Sequence, residues 1–152
     1  MKNRNLPHSD NWQTPSELYE KLNKEFDFNF DPCPFNHDLN QWDGLKIDWQ
    51  ERNFINPPYS GNLKKKFVLK SIEQSKKNKL CVLLLPVSTS TRLFHEHIFP
   101  NLKQIRFIEK RVKFCGINTY GEYVTTKTPM HDSMIIVFGD FFPKEKIIRY
   151  TI

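Results

Sequence analysis

The chain has 152 residues, of which 38% are hydrophobic, 14% aromatic and 26% charged, and it carries a formal net charge of +6. That length and hydrophobic content exclude a disordered chain and leave room for one domain with a buried core, but not for a catalytic domain plus a separate substrate-reading domain. No apolar run approaches the roughly 20 residues needed to cross a bilayer, and Cys33, Cys81 and Cys115 form an odd set without CxxC spacing, which excludes a disulfide framework and a zinc knuckle.

Residues 1–152 read as one continuous domain, with 1–11 as a flexible arm. The polar stretch from Met1 to Trp12 lacks the apolar core of a secretory signal, so a cytoplasmic protein is expected. The surplus of Lys and Arg suits a polyanionic partner, because neutralising phosphates releases counterions.

Thr14-Pro15-Ser16-Glu17 reads as a capping box, with Thr14 accepting from first-turn amides and Pro15 placed where its missing N–H costs nothing. Leu18, Leu22 and Phe26 follow at helical spacing and predict one buried stripe. Phe28-Asn29-Phe30 predicts a short strand ending at Asp31, and Asn53-Phe54-Ile55 another ending at Asn56.

Leu63, Phe67, Ser71 and Ser75 mark one face of a second helix whose other face carries Lys64, Lys65, Lys70 and Lys76. The unbroken apolar run Leu80 to Leu85 predicts a strand buried on both faces. A turn over Pro86 to Ser90, a short helix from Thr91 to Phe99 and a strand from Gln104 to Ile108 come next. This alternation predicts an α/β sheet with parallel crossovers. Arg111 to Cys115 and Ser133 to Phe138 then read as an antiparallel edge hairpin around a long polar loop.

The chemistry concentrates in Asn56-Pro57-Pro58-Tyr59, directly after an apolar strand. In open parallel sheets ligands bind beyond the carboxyl ends of strands. The exocyclic amine of adenine is a poor nucleophile because its lone pair is delocalised into the ring. The Asn56 side-chain carbonyl and the Pro57 backbone carbonyl can accept its two hydrogens and free that lone pair. Consecutive prolines hold such acceptors in place beforehand, and Tyr59 can stack on a base swung out of a duplex. Asn56, Pro57, Pro58 and Tyr59 are therefore the candidate catalytic residues.

With this tetrapeptide and its surroundings, the chain resembles the phage-type DNA N-6-adenine methyltransferase (Dam-like) family over nearly its whole length. The resemblance is carried by Trp12-Gln13-Thr14-Pro15 with Leu18 and Leu22, Phe30-Asp31-Pro32-Cys33, Asp43-Gly44-Leu45 with Trp49, and Phe54-Ile55-Asn56-Pro57-Pro58-Tyr59-Ser60. Leu84-Leu85-Pro86 with Thr91, Phe94 and His95, and Arg111-Val112-Lys113-Phe114, extend it towards the C-terminus.

The resemblance implies a reduced Rossmann-like S-adenosylmethionine-dependent methyltransferase fold, with a mostly parallel sheet and an antiparallel edge hairpin. It implies S-adenosyl-L-methionine as cofactor, with Trp12, Thr14, Pro15, Asp31, Pro32, Cys33, Asp43 and Asn56 as binding residues. Asp31 would meet the methionine or ribose part and Asp43 the ribose hydroxyls, although Asp43 also suits a plain Asp-Gly turn. Duplex DNA is the implied partner, inside a bacterial host cell. Lys64, Arg111 and Lys113 are candidates for phosphate, and Tyr120, Tyr123 and Lys127 for the groove or the extruded base.

Pro34 and Phe35 stand where many relatives place glycine, and Ser88 and Lys110 replace an expected arginine and glycine. The same tetrapeptide also serves methylation of RNA adenine or of a glutamine side chain, and a non-catalytic DNA-binding remnant is a further alternative. No metal is expected: His95 and His97 with Glu96, and Cys33 with His37 and Asp38, lack the further ligands a site requires.

Overall fold

The computed structural model describes residues 12–59, 62–117, 120–127 and 129–152. The arm expected over residues 1–11, and Ser60 of the central stretch, lie outside them. The described chain forms β1 (Trp12–Gln13), α1 (Ser16–Phe26), β2 (Arg52–Ile55), α2 (Leu63–Ser75) and β3 (Leu80–Pro86). A π-helical turn, Leu93–Ile98, runs into α3 (Phe99–Asn101). Then come β4 (Gln104–Ile108), β5 (Phe114–Ile117), β6 (Tyr123–Lys127), β7 (Ser133–Gly139) and β8 (Ile147–Tyr150).

The strands form two sheets, and neither is the mostly parallel Rossmann-like sheet expected from the sequence. The five-stranded sheet has the order β2-β3-β7-β4-β8, and the three-stranded sheet the order β1-β5-β6. Only β2–β3 and β4–β8 run parallel as strand pairs, whereas β7 runs antiparallel to both of its neighbours and the small sheet is antiparallel throughout.

The expected edge hairpin is also absent, for a reason visible in the side chains. Met134 to Phe138 are all buried, because β7 is wedged into the middle of the sheet and must be apolar on both faces. β5 leaves that sheet altogether and pairs with β1 and β6. Parallel crossovers are fewer than the strand–helix alternation suggested, because the C-terminal strands fold back between and beside earlier ones.

One face of the large sheet packs against α2 and the π-helical turn through Ile55, Phe67, Leu83, Phe94 and Ile136. The other packs against α1 through Leu18, Leu22, Phe54, Val82 and Ile135. Both helices form as their apolar spacing predicts, and burying a large aliphatic side chain contributes about 1.5–3 kcal/mol. On the α1 side Arg106 is almost wholly buried between the rings of Phe26 and Tyr150, with its guanidinium paired to both oxygens of Glu25 at 2.6 and 2.5 Å.

The 31–51 segment crosses the sheet without a helix and is held by buried polar anchors. Trp49 donates its indole N–H to the Gly44 carbonyl at 2.7 Å and its backbone N–H to Gln74 Oε1 at 3.0 Å. Phe30 forms a parallel bridge with Asn53, so Asp31 and Asn56 emerge from neighbouring segments at one end of the sheet.

Candidate active site

Asn56 is the first residue beyond β2, and its amide is clamped from an unexpected quarter. Nδ2 donates to the Thr14 hydroxyl at 3.1 Å and to the Trp12 carbonyl at 3.3 Å. Both partners are acceptors as used here, which assigns the amino group to that side and turns Oδ1 the other way. Thr14 is therefore not the helix cap that its spacing suggested. α1 starts after Pro15 with no side-chain capping bond, because the threonine hydroxyl is directed at the Asn56 amide.

The strand pairing of Trp12 with Gly116 and of Gln13 with Cys115 holds this clamp, so the small sheet positions the amide.

Two cavities meet at Asn56. The smaller, about 350 Å³, is lined by Gln13, Thr14, Tyr19, Asp31 and Phe54. The larger, about 520 Å³, is lined by Pro32, His37, Asp43, Pro58, Leu63 and Phe67, among others. Trp12, Cys33, Pro34, Phe35 and Asn56 border both. The expected cofactor residues thus converge, apart from Pro15, which immediately precedes α1 and lines neither cavity.

Burial pushes the Asp31 carboxyl up to about 6, against the opposing effects of the Cys33 N–H bonded to it and of nearby His37. Cys33 is held well above the usual thiol range, first by burial and then by Asp31, while its sulfur faces the Asn56 backbone N–H. It is a packing thiol rather than a nucleophile. Asp43 accepts from the Leu45 N–H at 2.9 Å and pairs with Lys46 at 3.6 Å, so it shapes its own turn while lining the larger cavity.

Tyr59 lines neither cavity. Its hydroxyl donates to the Leu84 carbonyl at 3.2 Å, and its ring meets Phe114 and His131 edge-on at 6.3 and 5.5 Å. Desolvation raises its phenol far above the ordinary range. Pro57 is buried, and Pro58 lines the larger cavity.

Of the residues expected to meet DNA, Lys64 lies in the first turn of α2 beside cavity-lining Leu63. Arg111 and Lys113 are exposed before β5, with Arg111 reaching Asp132 and the Pro129 carbonyl, each at 3.5 Å. Tyr120 is exposed, and Tyr123 donates to Gln13 at 3.3 Å with its ring 6.4 Å from Phe35, which brings it to the cavity rim. Lys127 pairs with Phe114 in the backbone ladder, and its side chain lies outside the described residues.

Sequence reasoning missed Gln13, Tyr19, Phe35 and His37 as lining residues. Only the interrupted glycine pattern at Pro34 and Phe35 hinted that this loop was rebuilt. Among the described residues, no group of three or more His, Cys, Asp or Glu side chains is placed to hold a metal ion, and no helix is long and apolar enough to cross a membrane.

Asn56 thus lies at the end of a strand, fixed through Nδ2 and bordering both cavities. The family model for DNA N-6-adenine-methyltransferase (Dam) matches residues 2–151, and the chain belongs to this methyltransferase family. No curated protein matches the chain in sequence.

Proposed function

We propose that this protein methylates the exocyclic N6 amine of adenine in duplex DNA, with S-adenosyl-L-methionine as donor. The observation that carries the reading is the Asn56 amide, fixed through Nδ2 by Thr14 and Trp12 at the partition between the two cavities.

The residues fit the cofactor. The cavities divide into a smaller chamber of mixed lining with one carboxylate disfavoured by burial, which a neighbouring cation would relieve, and a larger chamber with mostly apolar walls suited to a flat ring. Asp31 and Thr14 would face the methionine end, and Asp43 the ribose. When bound, the cofactor supplies an electrophilic methyl group.

This chain's residues do the rest. Asn56 Oδ1 and the Pro57 carbonyl accept the two hydrogens of the adenine amine and draw its nitrogen towards a tetrahedral shape, so the lone pair is available for in-line attack. The methylated nitrogen then sheds one proton to water. Tyr59, anchored at Leu84 and braced by Phe114, holds the prolyl turn in place and offers its ring to an extruded base only at the margin beside His131.

Arg111, Lys113 and Lys64 would meet phosphates, and Tyr120, Tyr123 and Lys127 the displaced base or groove. The family resemblance and the duplex substrate together suit a phage- or prophage-encoded enzyme working in the cytoplasm of a bacterial host.

The test is transfer of labelled methyl from the cofactor to duplex DNA, with digestion to nucleosides. Label in N6-methyladenine supports the reading, and label found only in RNA or protein refutes it.

A further inference from the structure

The wall of the larger cavity includes a histidine that the methyl-transfer chemistry does not use. His37 lines that cavity, and its Nε2 lies 2.8 Å from the Trp42 carbonyl. A carbonyl can only accept, so Nε2 carries the hydrogen and the neutral ring keeps its lone pair at Nδ1.

The ring cannot readily turn away. It lies 3.8 Å from the Trp42 ring, which in turn lies 5.5 Å from Phe30 at the end of the sheet. An acceptor fixed in this way, in a chamber walled by Phe35, Leu39, Leu45 and Phe67, selects a flat heteroaromatic ring that presents a hydrogen-bond donor at its edge.

Resting on the methyltransferase reading, we infer that His37 is the residue that selects the adenine ring of the cofactor, with Nδ1 accepting a hydrogen from its exocyclic amine. The same cavity carries Asp43, the candidate for the ribose hydroxyls, whereas Asp31 lies in the smaller one. The nucleoside end of the donor thus belongs beside His37, and its sulfonium end beside Asn56.

The experiment titrates the full chain, without DNA, with S-adenosylhomocysteine and with S-inosylhomocysteine, in which a carbonyl replaces the amine. Wild-type protein should favour the adenosyl compound by about tenfold or more, because the inosyl compound leaves the histidine facing another acceptor. His37→Phe keeps a ring against Trp42 but removes the acceptor. It should lower affinity for the adenosyl compound and bring the ratio close to one, with a cooperative unfolding transition retained and a midpoint lowered only by the lost bond to Trp42.

His37→Asn, which can again present an acceptor, should restore part of the discrimination. Discrimination that persists in His37→Phe overturns this inference and leaves the methyltransferase reading intact. Failure of wild-type protein to bind either compound overturns both.

Discussion

The side-chain amide of Asn56 and the hydroxyl of Thr14, 42 positions apart in the chain, are joined by a hydrogen bond of 3.1 Å. The bond decides which way the asparagine carbonyl faces, and so connects the segment just before α1 to the end of β2. Thr14→Val removes one of the two acceptors that hold Nδ2. The methyl-transfer rate constant should fall about tenfold, the magnitude of one lost hydrogen bond, while cofactor affinity changes far less. Thr14→Ser should recover most of the rate. Single-turnover kinetics with the cofactor at saturation separates the two effects.

Asp31 should make cofactor binding pH-dependent. Its carboxyl titrates at about 6 in the folded protein against an ordinary value of 3.8. Between those values the folded state holds a proton that the unfolded chain has lost, so this group's contribution to stability falls as pH rises through the window and is constant above it. A cationic ligand favours the ionised carboxylate. Affinity for S-adenosylmethionine should therefore decline as pH drops below about 6, and binding near that pH should release protons. Calorimetry in buffers of different ionisation enthalpy measures the release. Asp31→Asn should bind more weakly at pH 8 and release fewer protons on binding.

Gly44 has no room for a side chain, since a Cβ there would lie 1.9 Å from the Pro32 carbonyl oxygen. Both residues line the larger cavity. Gly44→Ala should destabilise the protein by about 1–3 kcal/mol, read from denaturant unfolding, as the backbone beside Asp43 is forced outward.

Lys110 occupies the left-handed region at φ 66°, in an exposed bend after β4. It stands where the family resemblance led us to expect glycine, and the geometry explains that expectation, because a Cβ strains this conformation. Lys110→Gly should raise stability by up to about 1 kcal/mol, measured by the same unfolding experiment, without altering methyl transfer.

What the sequence disclosed and what it hid divide along the range of the interactions. The stripe of Leu18, Leu22 and Phe26 is a local pattern, and α1 forms where it says. The unbroken run of β3 announced burial on both faces. The run Met134 to Phe138 carried the same signal, but its position late in the chain, beyond a polar loop, invited an edge placement. Strand order depends on pairing between distant segments, and local spacing does not encode it.

The site follows the same division. Asn56-Pro57-Pro58-Tyr59 stood out as a contiguous motif after a strand, and the structure brings Asn56 and Pro58 to the cavities but not Tyr59. Thr14 was read as a cap and, through the resemblance, as a cofactor residue, but its bond to Asn56 was hidden, since a hydroxyl three residues before a glutamate looks the same whether it serves the helix or a distant amide. His37 was weighed only as a metal ligand, because its contact with Trp42 depends on how the 31–51 loop is folded.

The most direct test of the account is formation of N6-methyladenine in duplex DNA by Asn56→Ala, with cofactor affinity measured on the same preparation. If the fixed asparagine carbonyl activates the amine, the rate should drop by about a hundredfold or more while the fold survives and cofactor binding stays within a few-fold of wild type. Methylation at the wild-type rate would contradict the account.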